Sequence, residues 1–235
     1  MPQCQRSPNN TILPQGTFAI ALGVVSCPGA PYSPGCPGRE LYIRVLDGPL
    51  ADYLQGSIAS CARRFETYSD TRPVELWLGE GPLTVFGHDD RWTIYLARDS
   101  DRLQFRRQIA HEAFHRVCSP GGRGHWVHEM LAEVFAMYRL HESGDVAYAT
   151  HQEVAARDAA KTMPFAELHA WTGGEPTRLY QKALAVGQHL VDCCGWEPVT
   201  QLAGFFDHQW RPDPTRWLGS LPSDLRDVAA CVLGL

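Results

Sequence analysis

Alternating apolar and polar positions predict strands in the first 100 residues of the chain. Three stretches show this alternation, namely 41–46 (LYIRVL), 74–78 (VELWL) and 92–97 (WTIYLA). The apolar run at 17–25 is typical of a further strand, and 49–67 has its apolar residues on one face of a helix. The pattern therefore predicts mixed α and β structure, with a Gly-rich segment between the last two strands that is either a hairpin or a longer loop.

Beyond residue 100 the pattern changes to helical periodicity interrupted by Pro and Gly. It predicts helices near 101–117, 126–142, 151–161, 176–194, 196–206 and 222–233. We therefore expect an α+β fold in which one domain, 41–235, has an α/β lobe at about 41–100 and a helical lobe at about 101–235. Residues 1–40 are rich in Pro, Gly, Asn and Ser and, apart from the strand expected at 17–25, predict an irregular N-terminal arm.

Composition narrows the class of protein. The 235 residues are 44% hydrophobic and 20% charged, which is typical of a folded globular domain. A net charge of -5 without a run of Lys and Arg argues against nucleic acid as a partner. No stretch approaches the roughly 18 apolar residues of a membrane span, so none is predicted.

The sequence says less about disulfide pairing and about the cellular compartment of the protein. Eight cysteines without a CxxC pair argue against a cysteine-based zinc finger but permit disulfides, most readily between Cys27 and Cys36. Cys61, Cys118 and Cys231 lie in apolar helical contexts that favour buried free thiols. The weak resemblance of 17–25 to an export signal leaves export open, although a cytoplasmic location is favoured. The oligomeric state stays open.

The sequence HEAFH, residues 111–115, carries the candidate chemistry. Histidines at positions i and i+4 project from one helix face, which allows His111 and His115 to bind one tetrahedral metal ion such as zinc. Glu112 is rotated about 100° around the helix, so it flanks the metal and is suited to act as a general base. The spacing predicts a catalytic zinc site.

A catalytic zinc site needs a third protein ligand and an open position for water. Glu129, His125 and His128 are the nearby candidates. We favour Glu129, because Glu133 follows one helical turn later and can accept the free ring N–H of a ligating histidine. The position of a metzincin's third histidine is occupied by Gly121, which excludes that class.

The HExxH helix followed by WVHEMLAE, residues 126–133, resembles the gluzincins. This zinc metallopeptidase clan contains thermolysin and the aminopeptidase N family, and the chain is most similar to its short peptidase-MA-like members. The resemblance implies a zincin-like fold and Glu129 as the third ligand. LYQKA, residues 179–183, is similar to the clan's Y-x-K-G helix, which implies that Tyr180 stabilises the oxyanion, with Ala183 in the place of the glycine.

The strand before the zinc helix also bears on the substrate. The aminopeptidase N family has G-x-M-E-N there, whereas this chain has WTIYLAR at 92–98, so aminopeptidase activity is not implied. In zincins the edge strand pairs with an extended peptide. We therefore expect substrate contacts from an edge strand that contains Trp92, Thr93, Ile94 and Tyr95.

These observations predict a hydrolase with one zinc ion per chain. We expect its reaction to be the cleavage of peptide bonds. A hydrolase of small-molecule amides or esters is the first alternative, because fold and site do not fix the substrate. A non-catalytic zinc domain is the second. It would need a fourth protein ligand, such as Cys118, His125 or His128, to close the site.

Overall fold

The computed structural model describes residues 22–24, 43–45, 47–67, 72–79, 82–86, 90–118, 125–171, 177–207 and 211–235. Within these residues a five-stranded mixed sheet and one helix precede a larger set of helices, in agreement with the predicted α+β class. The strands are β1 (Leu22–Val24), β2 (Ile43–Val45), β3 (Val74–Gly79), β4 (Leu83–Phe86) and β5 (Trp92–Ala97).

The strand order in the sheet is β1-β2-β3-β5-β4, with β3 and β5 parallel and the other pairs antiparallel. On β5 the side chains of Trp92, Ile94 and Leu96 are buried, whereas those of Thr93 and Tyr95 are half-buried. This alternation places one face of the sheet against the helices. The predicted bounds of β5 are confirmed.

The prediction that Trp92, Thr93, Ile94 and Tyr95 lie on an edge strand is wrong. β5 is hydrogen-bonded to β3 on one side and to β4 on the other, so its main chain has no free edge for a substrate. Among the described strands, β4 lies beside β5 at the end of the sheet. This four-residue strand was not predicted, because it lies in the Gly-rich segment between β3 and β5.

The sheet also reaches into the predicted N-terminal arm. β1 falls within the run 17–25, where a strand was predicted, and it pairs antiparallel with β2. Cys27, Cys36 and the rest of 1–40 lie outside the described residues.

The helices follow the predicted order. They are α1 (Gly48–Arg64), α2 (Arg102–Cys118), α3 (Trp126–Glu142), α4 (Val146–Ala160), α5 (Phe165–His169), α6 (Thr177–Cys194), α7 (Trp196–Gln201), α8 (Pro214–Ser220) and α9 (Ser223–Leu233). Helix α4 begins five residues earlier than predicted, and α7 ends five residues earlier. A 3₁₀ turn, Leu202–Phe205, extends α7. The short helices α5 and α8 were not predicted, because fewer than eight residues give too little periodicity.

Helix α2 lies at the centre of the fold, between α1 and α3. Its apolar face is fully buried, and Phe114 makes an edge-on contact with Phe65, at 5.0 Å between ring centroids. Helix α6 approaches α3 closely at Gly187, where an added Cβ would clash with Val134 and Met130. Tyr180 lies seven residues before Gly187, two turns along the same helix face. This packing brings α2, α3 and α6 together around one site.

The structure corrects one cysteine prediction. Cys61 on α1 and Cys118 on α2 are buried free thiols whose sulfur atoms lie 3.7 Å apart, as predicted for buried cysteines. Burial, with the neighbouring Cys118, raises the pKa of Cys61. Cys231 is exposed, because it lies on the outer face of the terminal helix.

No helix in the described part of the chain has both the length and the apolar character needed to cross a membrane.

Candidate metal centre

Helices α2 and α3 bring three potential metal ligands together. Nε2 of His111 lies 3.0 Å from Nε2 of His115 and 3.1 Å from Oε2 of Glu129. The same Glu129 oxygen lies 3.4 Å from Nε2 of His115. The two histidines are one turn apart on α2, and Glu129 faces them from the first turn of α3. This largely buried group could hold a metal ion.

The polar atoms of this group fit a cation. Oε2 of Glu129 is buried and has no hydrogen-bond partner, although imidazole nitrogens lie close to it. Buried polar atoms are ordinarily satisfied, and a cation among these three atoms would satisfy this oxygen. Two imidazoles and one carboxylate form a donor set that suits zinc.

Glu133 supports the histidines from the next turn of α3. Its Oε1 lies 3.1 Å from Nδ1 of His111, on the side of the ring opposite Glu129. Its Oε2 accepts hydrogen bonds from Nε of Arg107 at 3.2 Å and from Nη2 at 2.6 Å. Glu133 therefore links the His111 ring to a guanidinium on the same helix. Contacts of this kind fix the tautomer and orientation of a ligating histidine.

The charges of the group stabilise one another in the metal-free protein. Burial disfavours the imidazolium of His111, but Glu129 and Glu133 outweigh it and raise the pKa of His111 to about 10. Burial raises the pKa of Glu129, but the two histidines outweigh this effect and hold its pKa below the ordinary value. For Glu133, Arg107 and His111 likewise outweigh burial and lower the pKa. Both carboxylates are therefore ionised near neutral pH, as metal binding requires.

Glu112, the residue that follows His111 on α2, is buried, with 4% of its surface exposed. Its Oε2 accepts a hydrogen bond of 2.7 Å from the hydroxyl of Thr84 on β4. The general-base candidate on α2 is thus hydrogen-bonded to β4, at the end of the described sheet.

Tyr180 on α6 lies on another side of the group. Its ring centroid is 5.9 Å from that of His111, and its ring packs edge-on against Trp171 at 4.6 Å. The described residues thus bring Tyr180 close to the ligands, although the chain separates it from His115 by 65 positions.

The other candidate ligands make different contacts. The imidazole of His125 caps α3 by accepting a hydrogen bond from the backbone N–H of Val127 at 3.2 Å. The ring of His128 packs on Phe206 at 4.3 Å, and Cys118 contacts Cys61. Within the described ranges, none of these three candidates belongs to the ligand group.

Sequence reasoning did not identify Thr84 as a residue of this site, and it did not predict the contact between Arg107 and Glu133. Arg107 lies one turn before His111, and this spacing is its only local signal. Thr84 has no local signal, since its contact with Glu112 depends on a strand that was not predicted.

We expect Glu133→Gln to weaken zinc binding about 10- to 100-fold, because it removes the charge that supports His111. Zinc affinity is measured by competition with a chromogenic chelator. Glu153→Gln is the matched control, since Glu153 pairs with His141 at 2.9 Å near the far end of α3. Wild-type affinity in Glu133→Gln would contradict the supporting role of this carboxylate.

Comparison of the chain with known protein families, curated proteins and solved structures finds no match. The resemblance to the gluzincins therefore stays a prediction, carried by the residues of α2, α3 and α6. The geometry of the site is an independent observation, because it depends on how these helices pack.

Proposed function

We propose that the chain is a gluzincin-type zinc hydrolase that binds one zinc ion per chain through His111, His115 and Glu129. The observation that carries the proposal is the convergence of three ligand atoms from α2 and α3, on a helix whose Glu112, next to His111, is also buried. A structural zinc site has no need of this acid, and such sites usually have four protein ligands. A catalytic site needs both the acid and an open position.

The residues around the group suit hydrolysis of a carbonyl compound. A zinc ion bound there would supply a Lewis acid that polarises the carbonyl and lowers the pKa of water to about 7. Glu112 accepts a proton from the attacking water and returns it to the leaving group. Tyr180 donates a hydrogen bond to the oxygen that gains negative charge. Glu133 and Arg107 keep the His111 ring in its ligating orientation.

Peptides are the substrate class that the sheet favours. β4 lies at the end of the described sheet, and its Thr84 contacts Glu112. An extended peptide that paired with β4 would pass close to the general base. This role replaces the one predicted for β5, whose two sides are already paired.

A panel of unstructured polypeptides tests the proposal. The zinc-loaded protein is incubated with each polypeptide, and products are identified by mass spectrometry, with Glu112→Gln purified in parallel to reveal contaminating proteases. Cleavage by the wild type alone supports a peptidase. A panel left intact would contradict the peptidase proposal. Hydrolysis of small amides or esters would then favour the first alternative, and failure to bind a hydroxamate would favour a non-catalytic zinc domain.

Tyr180→Phe is expected to lower kcat about 10²- to 10³-fold, the usual effect of losing one oxyanion donor. Zinc content and KM should change little, because the ring and its packing on Trp171 are retained. The matched control is Tyr138→Phe, which removes a hydroxyl that donates to Glu142 at 3.3 Å. A wild-type kcat in Tyr180→Phe would show that another group stabilises the oxyanion.

A further inference from the structure

Thr84 has a contact that the proposed mechanism does not yet use. It lies on β4, opposite Ile94 of β5, and its side chain is half-buried. The preceding Leu83 is 54% exposed, as expected from the alternation of side chains along a strand. Thr84 therefore presents its hydroxyl to the face of the sheet on which α2 lies.

The hydroxyl of Thr84 has two possible acceptors, both belonging to Glu112. Oε2 of the carboxylate lies 2.7 Å away and the backbone carbonyl oxygen lies 3.2 Å away. A threonine hydroxyl has one proton and donates it to one acceptor at a time. The shorter distance and the negative charge favour the carboxylate, since charge-assisted O–H···O⁻ bonds are the stronger kind.

This hydrogen bond restricts the position of the Glu112 carboxylate, the group that would remove the proton. A general base has to lie within hydrogen-bond reach of the proton that it removes. The glutamate side chain rotates about several bonds, so a fixed donor on one carboxylate oxygen reduces the positions that the other oxygen samples. The donor comes from a strand that is hydrogen-bonded to β5, and not from the helix that carries Glu112.

We propose that Thr84 is a positioning residue, which orients Glu112 from the strand with which an extended peptide substrate pairs. The inference rests on the proposed function, in which a peptide pairs with the main chain of β4, and it adds to that strand the orientation of the base through Thr84. Peptides that engage β4 are accordingly held by the same strand that fixes the carboxylate.

Two substitutions separate this role from packing. Thr84→Val keeps the size and β-branching of threonine but removes the hydroxyl. Thr84→Ser keeps the hydroxyl but removes the methyl group. A residue that only packs β4 against α2 would tolerate valine better than serine, whereas a positioning residue would show the reverse order.

The test measures kcat, KM, zinc content and melting temperature for the wild type and both variants on a polypeptide cleaved in the panel. We expect Thr84→Val to lower kcat about 10- to 100-fold with unchanged zinc content and little change in KM, because a hydrogen bond to a charged group is lost. Thr84→Ser should retain most of the wild-type kcat. In the Glu112→Gln background, Thr84→Val should have no further effect, since the two residues act through one step.

Crystal structures of the same proteins give a readout that does not depend on turnover. The carboxylate of Glu112 should keep one position in the wild type and in Thr84→Ser, and lose it in Thr84→Val. An active wild type with an equally active Thr84→Val, or with Thr84→Ser as impaired as Thr84→Val, would overturn the inference alone. A wild type that cleaves no substrate would overturn the proposed function and this inference with it.

Discussion

Replacing Glu112 with Gln is expected to lower kcat about 10²- to 10⁴-fold, the range for loss of a general base. Glutamine has nearly the same shape and can still accept the hydrogen bond from Thr84, but it cannot take a proton at neutral pH. Because Glu112 is not a member of the ligand group, the variant should keep its zinc. Loss of turnover without loss of metal is the expected signature of a base.

The experiment compares kcat and zinc content of the wild type and Glu112→Gln on the same polypeptide. Glu75→Gln is the matched control, since Glu75 on β3 accepts a 2.7 Å hydrogen bond from Arg91 at a distance from the ligand group. The control should retain wild-type kcat. Full activity in Glu112→Gln would remove Glu112 from the mechanism.

Glu129→Ala is expected to lose both zinc and activity. The substitution removes one of three ligands and the only carboxylate among them, which leaves two imidazoles to bind the ion. Zinc content should fall from about one per chain to a small fraction after dialysis, and hydrolysis should fall to the background rate. Elemental analysis and circular dichroism, measured on the same samples, separate metal loss from unfolding.

Glu142→Ala controls for the removal of a glutamate from α3. Glu142 is the last residue of that helix and pairs with Arg139, so its loss should leave zinc in place. Tight zinc binding by a folded Glu129→Ala variant would contradict the ligand assignment. The third ligand would then be sought at His125, His128 or Cys118.

The two helices of the metal centre were predictable because their signals are local. The bounds 126–142 predicted for α3 are those observed, and α2 differs from its prediction by one residue at each end. Each helix has a continuous apolar face and a defined end, so periodicity was sufficient. The spacing of His111, Glu112 and His115 follows from the helix itself.

The sheet was less predictable because strand pairing is not local. Alternation identified 92–97 as a strand but could not tell which strands lie beside it. β4 has only four residues and was not predicted, so the resemblance to the zincins placed the edge strand at 92–97 instead. The hydrogen bond from Thr84 to Glu112 spans 28 positions and was missed for the same reason.

The contacts that support His111 were only partly predictable from the sequence. Glu133 was identified from its spacing to Glu129, since residues four apart share a helix face. Glu133 also contacts Arg107, which lies on α2, and this contact depends on how α2 packs against α3. Sequence spacing therefore predicted the residues of each helix, while the contacts between helices required the fold.

X-ray absorption spectroscopy of the zinc-loaded wild type, recorded with and without a hydroxamate, tests the central claim most directly. The account predicts nitrogen and oxygen ligands at about 2.0–2.2 Å, including two imidazoles, and a first shell that changes when the hydroxamate binds. A sulfur ligand at about 2.3 Å, or a spectrum that the hydroxamate leaves unchanged, would instead indicate a closed structural site and contradict the account.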